Sequence, residues 1–194
     1  MRTLIPAALI CLALVSGCAT TKVETTGSRL EQPLCRAGKP AVSTLVYWGP
    51  QWRPDQKEPQ LREAAALQGI QDFLNRSGCI AVKGNHRLSW ANQPPSNEAL
   101  LRLASESTAV PERVLFIVVR ELGPRLVVGI PAILEGGTEV LMDVRVLNPR
   151  TSEILASTQT LWRNGGPFVI KGVKTLDQDI GSALSAVLMP EAVK

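Results

Sequence analysis

The residues that could carry out catalysis are few and are scattered along the chain. The sequence of 194 residues contains one histidine, His86, which lies in the polar stretch 83–87. A Ser-His-acid triad would have to combine His86 with Ser89 and Asp72, but the Gly-x-Ser-x-Gly turn that exposes a nucleophilic serine in α/β-hydrolases does not occur. We therefore interpret His86 as an exposed loop histidine and predict that the chain is not an enzyme.

Acidic residues offer no better catalytic arrangement. Glu135 and Glu139 flank a Gly-Gly pair and Glu63 lies in a predicted helix, whereas glycoside cleavage needs two carboxyl groups that face one cleft. The single histidine also argues against a metal site, because no third or fourth ligand is evident. Gly165-Gly166 lacks the helix and lysine of a phosphate-binding loop. We predict neither a metal nor a cofactor.

The first eighteen residues predict the cellular location of the protein. Arg2 precedes an apolar segment at residues 4–15 that is too short to span a bilayer, and Val15-Ser16-Gly17-Cys18 follows. This stretch resembles the signal and lipobox of bacterial lipoproteins. The resemblance implies cleavage before Cys18, acylation of Cys18 and, because Ala19 rather than aspartate follows, transfer to the outer membrane. An ordinary signal peptide that contains a cysteine is the alternative.

Two cysteines remain for the mature domain. Cys11 leaves with the signal and Cys18 takes lipid, so Cys35 and Cys79 form an even pair in an oxidising compartment, which predicts one disulfide. Closing a loop of about 45 residues would stabilise the fold by roughly 4 kcal/mol in the chain-entropy model. Two unpaired buried thiols are the alternative.

The charge and hydropathy of the chain limit the classes of partner that it can bind. The formal net charge is only +4 and no lysine- or arginine-rich run occurs, which argues against nucleic acid. Apolar residues make up 45% of the chain, enough for a packed core, and no later stretch has membrane-spanning length. The lipid on Cys18 is therefore the only membrane contact predicted from the sequence.

The chain divides into three predicted segments. Residues 1–17 are the signal peptide. Residues 18–34 comprise the lipidated cysteine and a flexible tether, which is rich in threonine and charge and has no sustained period. Residues 35–194 form a periplasmic domain. A coiled tether of this length covers only about 20 Å, so we expect the domain to lie close to its membrane.

Hydrophobic periodicity predicts an α+β domain in which helices pack on a mixed β-sheet. The early strand–helix–strand crossovers favour parallel pairing and the later hairpins antiparallel pairing. Residues 60–77 are the clearest helix, with Leu67, Ile70, Phe73 and Leu74 inward and Gly78 as its C-terminal cap. The other predicted features are strands at 41–48, 79–82, 113–121, 126–133, 138–147 and 153–163, a helix capped by Ser96, turns at Gly123-Pro124 and Gly136-Gly137, and a last helix opened by a capping box of Thr175 and Gln178.

The stretch 47–54 is the most unusual in composition, because it places the only tyrosine and two of the four tryptophans beside prolines. A rigid loop that exposes Tyr47, Trp48, Trp52 and Arg53 would be a partner-binding patch. Alternatively, Trp48 and Trp52 cover the open end of the sheet and seal the core, with Trp52 and Arg53 the more exposed pair.

The pattern from residue 138 onward resembles a known group of envelope domains. A strand ending at 143–147, the turn Asn148-Pro149-Arg150-Thr151 and a strand at 153–156 resemble a hairpin of small periplasmic lipoproteins, and the helix end at 75–79 is also similar. The group includes activators of penicillin-binding proteins, the curli-secretion lipoprotein and the TolB N-terminal domain. The resemblance implies an interaction domain and transfers no site residue. The predicted tether is shorter than that of the synthase activators, which argues against a direct peptidoglycan-synthase role.

Together these patterns predict a non-enzymatic outer-membrane lipoprotein that faces the periplasm. Its domain would bind another envelope protein, as an accessory to cell-wall or envelope assembly. One alternative is a subunit of a secretion or surface-structure apparatus, which would be a homo-oligomer. Another is a periplasmic small-ligand binder with a pocket under the aromatic loop.

Overall fold

The computed structural model describes residues 19–36, 38–107, 109–129 and 133–190. The signal peptide and Cys18 lie outside this range. The described chain contains six strands and three α-helices, with a short 3-10 turn (Val173–Thr175) before the last helix. The strands are β1 (Thr20–Ser28), β2 (Val42–Pro50), β3 (Ile80–Arg87), β4 (Arg113–Gly129), β5 (Ile133–Asn148) and β6 (Glu153–Pro167), and the helices are α1 (Pro59–Arg76), α2 (Asn97–Ser105) and α3 (Leu176–Leu188).

All six strands form one sheet in the order β1-β6-β5-β4-β2-β3. Strand β2 is parallel to β3 and β4, and the remaining neighbours are antiparallel. The parallel pairs follow from the crossovers through α1 and α2, because parallel neighbours cannot be joined by a tight turn. The prediction of a single α+β domain with a mixed sheet is confirmed.

The sheet has two unequal faces. Helices α1 and α3 cover one face, where Ile70 and Ile180 pack with strand residues such as Ile117 and Val144. We call this the helical face. On the opposite face, α2 covers mainly β2 and β4 through Leu100 and its neighbours. Because β4 lies under both layers, its five consecutive apolar residues Leu115, Phe116, Ile117, Val118 and Val119 are all buried, as predicted.

Two local signals in the sequence set helix ends correctly. Gly78 has φ +65°, the left-handed conformation that ends α1. Ser96 accepts a hydrogen bond from the Ala99 N–H at 3.3 Å and caps α2. Leu67 was predicted to point inward but is exposed, since α1 buries Ala66, Gly69 and Ile70 instead. Gly69 lies where α1 crosses α3, and a side chain there would meet α3.

The predicted capping box at the start of α3 is wrong. Thr175 has φ −113° and ψ 8°, not the extended backbone of a capping residue, and its side chain caps no backbone N–H. Its hydroxyl is instead hydrogen-bonded to Asp179 Oδ2 at 3.0 Å. The 3-10 turn that leads directly into the helix takes the place of the cap.

The predicted turns at Gly123-Pro124 and Gly136-Gly137 are also wrong. Strand β4 continues to Gly129 and pairs with β5 throughout, with Pro124 opposite Thr138. The pairing of β2 with β4 ends at Val119, so the ring of Pro124 interrupts no bond on that side. Gly136 and Gly137 lie inside β5 opposite Gly166 and Gly165 of β6, where the two backbones pack too closely for side chains.

The flexible tether predicted for residues 18–34 is wrong over Thr20–Ser28, which forms β1 and pairs antiparallel with β6. The hydroxyls of Thr25 and Thr160 are 3.2 Å apart across this pair. Eight of the nine residues of β1 are exposed. The strand therefore pairs through its backbone and buries few side chains, so its sequence shows no hydrophobic alternation that would predict it.

The predicted Cys35–Cys79 disulfide is present, which excludes the alternative of two free thiols. Of the helices that the structure describes, none is long and apolar enough to cross a bilayer.

Candidate interaction surface

The aromatic stretch 47–54, which begins inside β2, does not form the surface patch that one interpretation predicted. Tyr47 and Trp48 are consecutive strand residues, so they point to opposite faces of the sheet. Both are buried, with exposed fractions of 6% and 1%. Side chains enclosed in the core cannot contact a partner, which removes Tyr47 and Trp48 from the predicted site.

The loop that follows β2 is bound to the sheet by one carboxylate between two arginines. Arg53 Nη2 lies 3.1 Å from Glu121 Oε2, and the buried Arg62 donates to Glu121 Oε1 at 3.4 Å. Arg62 also donates to the carbonyl oxygens of Lys57, at 2.7 Å, and Leu122. Trp52 packs, half-buried, on the helical-face core. Of the four residues predicted to form the patch, Arg53 alone is exposed.

The residues of the nominal triad do not come together. His86 is exposed, as predicted, but it lies in strand β3 and not in a loop, with its ring centroid 5.7 Å from that of Tyr47. The Ser89 hydroxyl accepts from Arg87, and Asp72 accepts from Gln68 at 2.9 Å. Among the described residues, no hydrogen bond links any two of the three nominal members.

The acidic residues considered for glycoside cleavage are engaged in ion pairs. Glu135 and Glu139 both lie within 4 Å of Arg125, at 3.7 and 3.8 Å, and Glu139 accepts from Arg163 at 2.7 Å. Glu63 pairs with Arg87, and the hydrogen bond between them raises the pKa of that guanidinium further. In residues 19–190, leaving aside the undescribed positions, no group of three or more potential metal ligands occurs.

A polar surface that sequence reasoning missed covers β5, β6 and β1 on the side away from α1 and α3. We call it the open face. Asp143 lies at its centre, accepting from Arg120 at 2.7 Å and from Gln159 at 3.1 Å. A hollow of about 750 Å³ lies over these residues, bordered by the loop before α2 and by Thr26 of β1. Its floor of guanidinium, carboxylate and carboxamide groups is suited to hydrogen bonding with a polar ligand or peptide.

Arg145 fixes the border of this hollow. Its guanidinium lies 4.6 Å from the ring centroid of Phe116 and donates to Asn97 Oδ1 at 2.7 Å and to the Pro95 carbonyl at 2.8 Å. Burial lowers the pKa of Arg145, and the negative charges of Asp143 and Glu98 oppose this shift. Because two of its N–H groups bind Asn97 and the Pro95 carbonyl, Arg145 positions the loop before α2.

The second missed feature is the free edge of β1. Among the described strands, β6 is the only partner of β1, so one side of a nine-residue backbone remains unpaired. Lys22 and Glu24 are exposed along this strand. The sequence contains one indication that this segment is a strand, because residues 20, 21, 23, 25 and 26 are β-branched.

A cavity of about 630 Å³ lies beneath this edge, between β1, α3 and the segment 29–33. Val144, Ala156 and Val187 give it apolar walls, and Arg29 and Arg36 lie at its border. It is separate from the aromatic loop, under which the sequence predicted a pocket.

No protein-family model matches this sequence, and no curated protein is similar to it in sequence. Distantly similar solved structures include the PelC dodecamer from Paraburkholderia phytofirmans, at 14% identity and a TM-score of 0.44 over 87% of this chain and 98% of that one. The hypothetical protein CT253 from Chlamydia trachomatis is 13% identical with a TM-score of 0.47, over 77% of this chain and 92% of its own. Lipoprotein GNA1162 from Neisseria meningitidis is 13% identical with a TM-score of 0.38, over 75% and 97%. These likenesses are too distant to support an argument about function or assembly.

Proposed function

We propose that this chain is an outer-membrane lipoprotein, anchored through Cys18, whose periplasmic domain binds another envelope protein and catalyses no reaction. The free edge of β1 is the observation that carries the proposal. An unpaired row of N–H and C=O groups is a template on which an extended segment of a partner can add as a further strand. Main-chain hydrogen bonds then supply affinity, and the side chains on either side of the edge supply selectivity.

The position and charge of β1 suit such a partner. Lys22 and Glu24 place charge of both signs on the edge, which disfavours unselective pairing and favours a complementary segment. Because β1 begins two residues after Cys18, the edge lies near the membrane. The partner is therefore a protein that reaches the periplasmic surface of the outer membrane, as an accessory to envelope or cell-wall assembly would require.

Site-specific cross-linking in cells tests this surface. A photoreactive residue replaces Thr26 at the β1 edge, Arg53 in the aromatic loop or, as a control, the exposed Gln71 of α1. We expect one heterologous envelope protein to be captured from Thr26 and not from Gln71, and its capture to fall when Lys22→Glu and Glu24→Lys reverse the edge charges. Capture from Arg53 alone would transfer the site to the loop and overturn the β1 assignment.

The anchor is tested separately by the intact mass of protein extracted from membranes. We expect the mass of a chain that begins at acylated Cys18, and we expect Cys18→Ser to abolish the acylated species. A chain that carries an ordinary cleaved signal would lack the added acyl mass and would contradict the anchor.

A second candidate function, a self-assembling subunit of a secretion or surface-structure apparatus, is favoured by one observation. The sheet ends in two different free strands, β1 and β3. Unlike edges on opposite sides of a subunit permit head-to-tail contacts, which close into rings when the rotation is suitable. Light scattering of the extracted protein after cross-linking in cells distinguishes the two functions. A homogeneous large assembly of self-copies supports the subunit, and a monomer or dimer joined to another protein supports the accessory domain.

A further inference from the structure

Four large apolar side chains are exposed together at one end of the sheet. Leu126 and Val128 of β4 are 60% and 73% exposed, and Phe168 and Ile170, which follow β6, are 62% and 80% exposed. We call these four residues the tip patch. Isolated exposed apolar residues are common, but a cluster of this kind marks a surface that contacts a partner protein or a membrane.

Strand pairing and one hydrogen bond bring Leu126, Val128 and Phe168 to the same end of the sheet, and Ile170 follows Phe168 by two residues. Leu126 and Val128 are two apart on β4 and therefore point to the same face. Val128 lies opposite Leu134 of β5, and the carbonyl of Leu134 accepts a hydrogen bond from the Phe168 N–H at 2.8 Å. Phe168 has φ +60°, a conformation that bulky residues rarely adopt, so an aromatic side chain is held in a strained backbone at the surface.

The tip patch lies at the same end of the sheet as the N-terminus. Thr20 pairs with Gly165, Gly165 with Gly137, and Gly137 with Arg125, so these residues share one level. Cys18 precedes Thr20 by two residues, which is at most about 7 Å of extended chain. Gly129, the last residue of β4, is four residues beyond Arg125, or about 13 Å. The tip therefore extends as far as the acylated residue can reach, or farther.

Basic residues lie directly behind the patch. Lys22, Arg125 and Arg163 line one hollow at the level of Thr20, where Arg125 pairs with Glu135 and Glu139 and Arg163 pairs with Glu139. This layer holds three cations and two carboxylates, so it carries a small positive excess behind the apolar tip. Interfacial segments have a similar order, with apolar groups at the acyl boundary and cations among the phosphate headgroups. By contrast, the turn at the other end of the sheet exposes Arg150, Thr151 and Ser152.

We propose that the tip patch inserts into the lipid surface beside the Cys18 anchor. The end of β4 at Gly129 and the start of β5 at Ile133 then face the periplasmic leaflet of the outer membrane, and the β5–β6 turn points away from it. The anchor and the patch together are two attachments, which fix the orientation of the domain and hold the free edge of β1 roughly upright on the membrane. This inference rests on the proposed function only for the acylation of Cys18.

Nitroxide labels on the mature acylated protein, which begins at Cys18, test the insertion. Val128→Cys places a label in the patch, Ile170→Cys repeats the measurement from the other segment, and Thr151→Cys is the control at the opposite end. In the acylated protein Cys11 has left with the signal, the Cys18 sulfur carries lipid, and Cys35 and Cys79 are joined, so only the introduced thiol reacts. In vesicles of phosphatidylethanolamine and phosphatidylglycerol, we expect oxygen to relax the Val128 and Ile170 labels more than a water-soluble nickel chelate does. We expect the reverse order at Thr151.

Two other results would contradict the insertion. Labels at Val128 and Ile170 that the nickel chelate relaxes as strongly as the Thr151 label would place the tip in water. Patch labels that neither reagent reaches would mean that protein, either a second copy or a partner, covers the patch instead of lipid.

Flotation and intact mass test the anchor independently. If the chain carries no acyl group, the proposed anchor fails, and the Val128 label is then measured on the domain that carries Cys18→Ser, so that no second thiol is labelled, added to vesicles from outside. A label in the apolar layer would still support insertion, and a label in water would overturn it.

Discussion

The Cα atoms of Cys35 and Cys79 lie 5.6 Å apart and their sulfurs are joined, which connects the segment after β1 to the residue that precedes β3. The neighbouring Leu34 N–H donates to the Leu188 carbonyl at 2.8 Å, so the same segment is also bound to the end of α3. The segment that follows the strand with the candidate partner edge is therefore attached to the domain by this disulfide and this hydrogen bond.

Removing the disulfide should destabilise the whole domain. The bridge spans 44 positions of the chain, and we expect the double change Cys35→Ser, Cys79→Ser to lower the free energy of unfolding by about 4 kcal/mol. Urea unfolding measures the loss, and the unchanged protein in a reducing agent is the matched comparison. A loss below about 1 kcal/mol would mean that the unfolded chain is already constrained near these residues.

The two arginines that share Glu121 should differ strongly in their contribution. Arg62 is buried with three acceptors, so Arg62→Met leaves Glu121 and two carbonyl oxygens poorly paired and should cost about 3 kcal/mol. Arg53→Met removes an exposed ion pair and should cost less than about 1 kcal/mol. Thermal unfolding of both variants checks the order, and equal losses would contradict it.

The close pairing of β5 with β6 should depend on glycine. A Cβ at Gly165 would meet the Gly136 carbonyl and would lie 2.7 Å from Gly137 Cα, both backbone atoms that cannot move aside easily. We expect Gly165→Ala to destabilise the domain by about 2 kcal/mol, as overpacking does. Gly172→Ala is the control, since no atom lies within 4 Å of its Cβ position. Equal melting temperatures for the two variants would show that the strands can separate without cost.

The layers of the fold could be predicted from the sequence because they depend on strong local patterns. The apolar run at Leu115–Val119 indicated a strand buried on both faces, and Ser96 and Gly78 indicated helix ends; the structure has all three. Features whose physical cause is long-range could not be predicted. Pro124 is compatible with β4 only because the β2 pairing ends earlier, and that is a property of the sheet and not of the local sequence.

The candidate surfaces were harder to predict for the same reason. Trp48 and Trp52 are residue types that often bind partners, but Trp48 lies opposite Ile117 in the sheet and its side chain is buried in the core. Conversely, β1 has an ordinary polar composition, and only its position at the end of the sheet gives it an unpaired edge. The tip patch likewise combines residues from β4 and from the segment after β6, which are far apart in sequence.

Tyr47 should make the domain sensitive to alkaline pH. Burial, and secondarily the negative charge of Glu106, raises the pKa of Tyr47 above its ordinary value of about 10. A raised pKa in the folded state means that the folded chain holds the phenolic proton more tightly than the unfolded chain does. The stabilisation is therefore fully present below pH 10 and is lost as the pH rises through the raised value.

Because Tyr47 is the only tyrosine, the absorbance of tyrosinate reports this single group. We expect its titration midpoint to fall from above pH 10 to about pH 10 when the protein is unfolded in urea. The free energy of unfolding should decrease more steeply above pH 10 in the unchanged protein than in Tyr47→Phe, which keeps the ring and loses the ionising group. The Phe variant also corrects for the lysines that titrate in the same range. Identical slopes, or a midpoint that does not move on unfolding, would mean that the hydroxyl reaches water in spite of the burial of the ring.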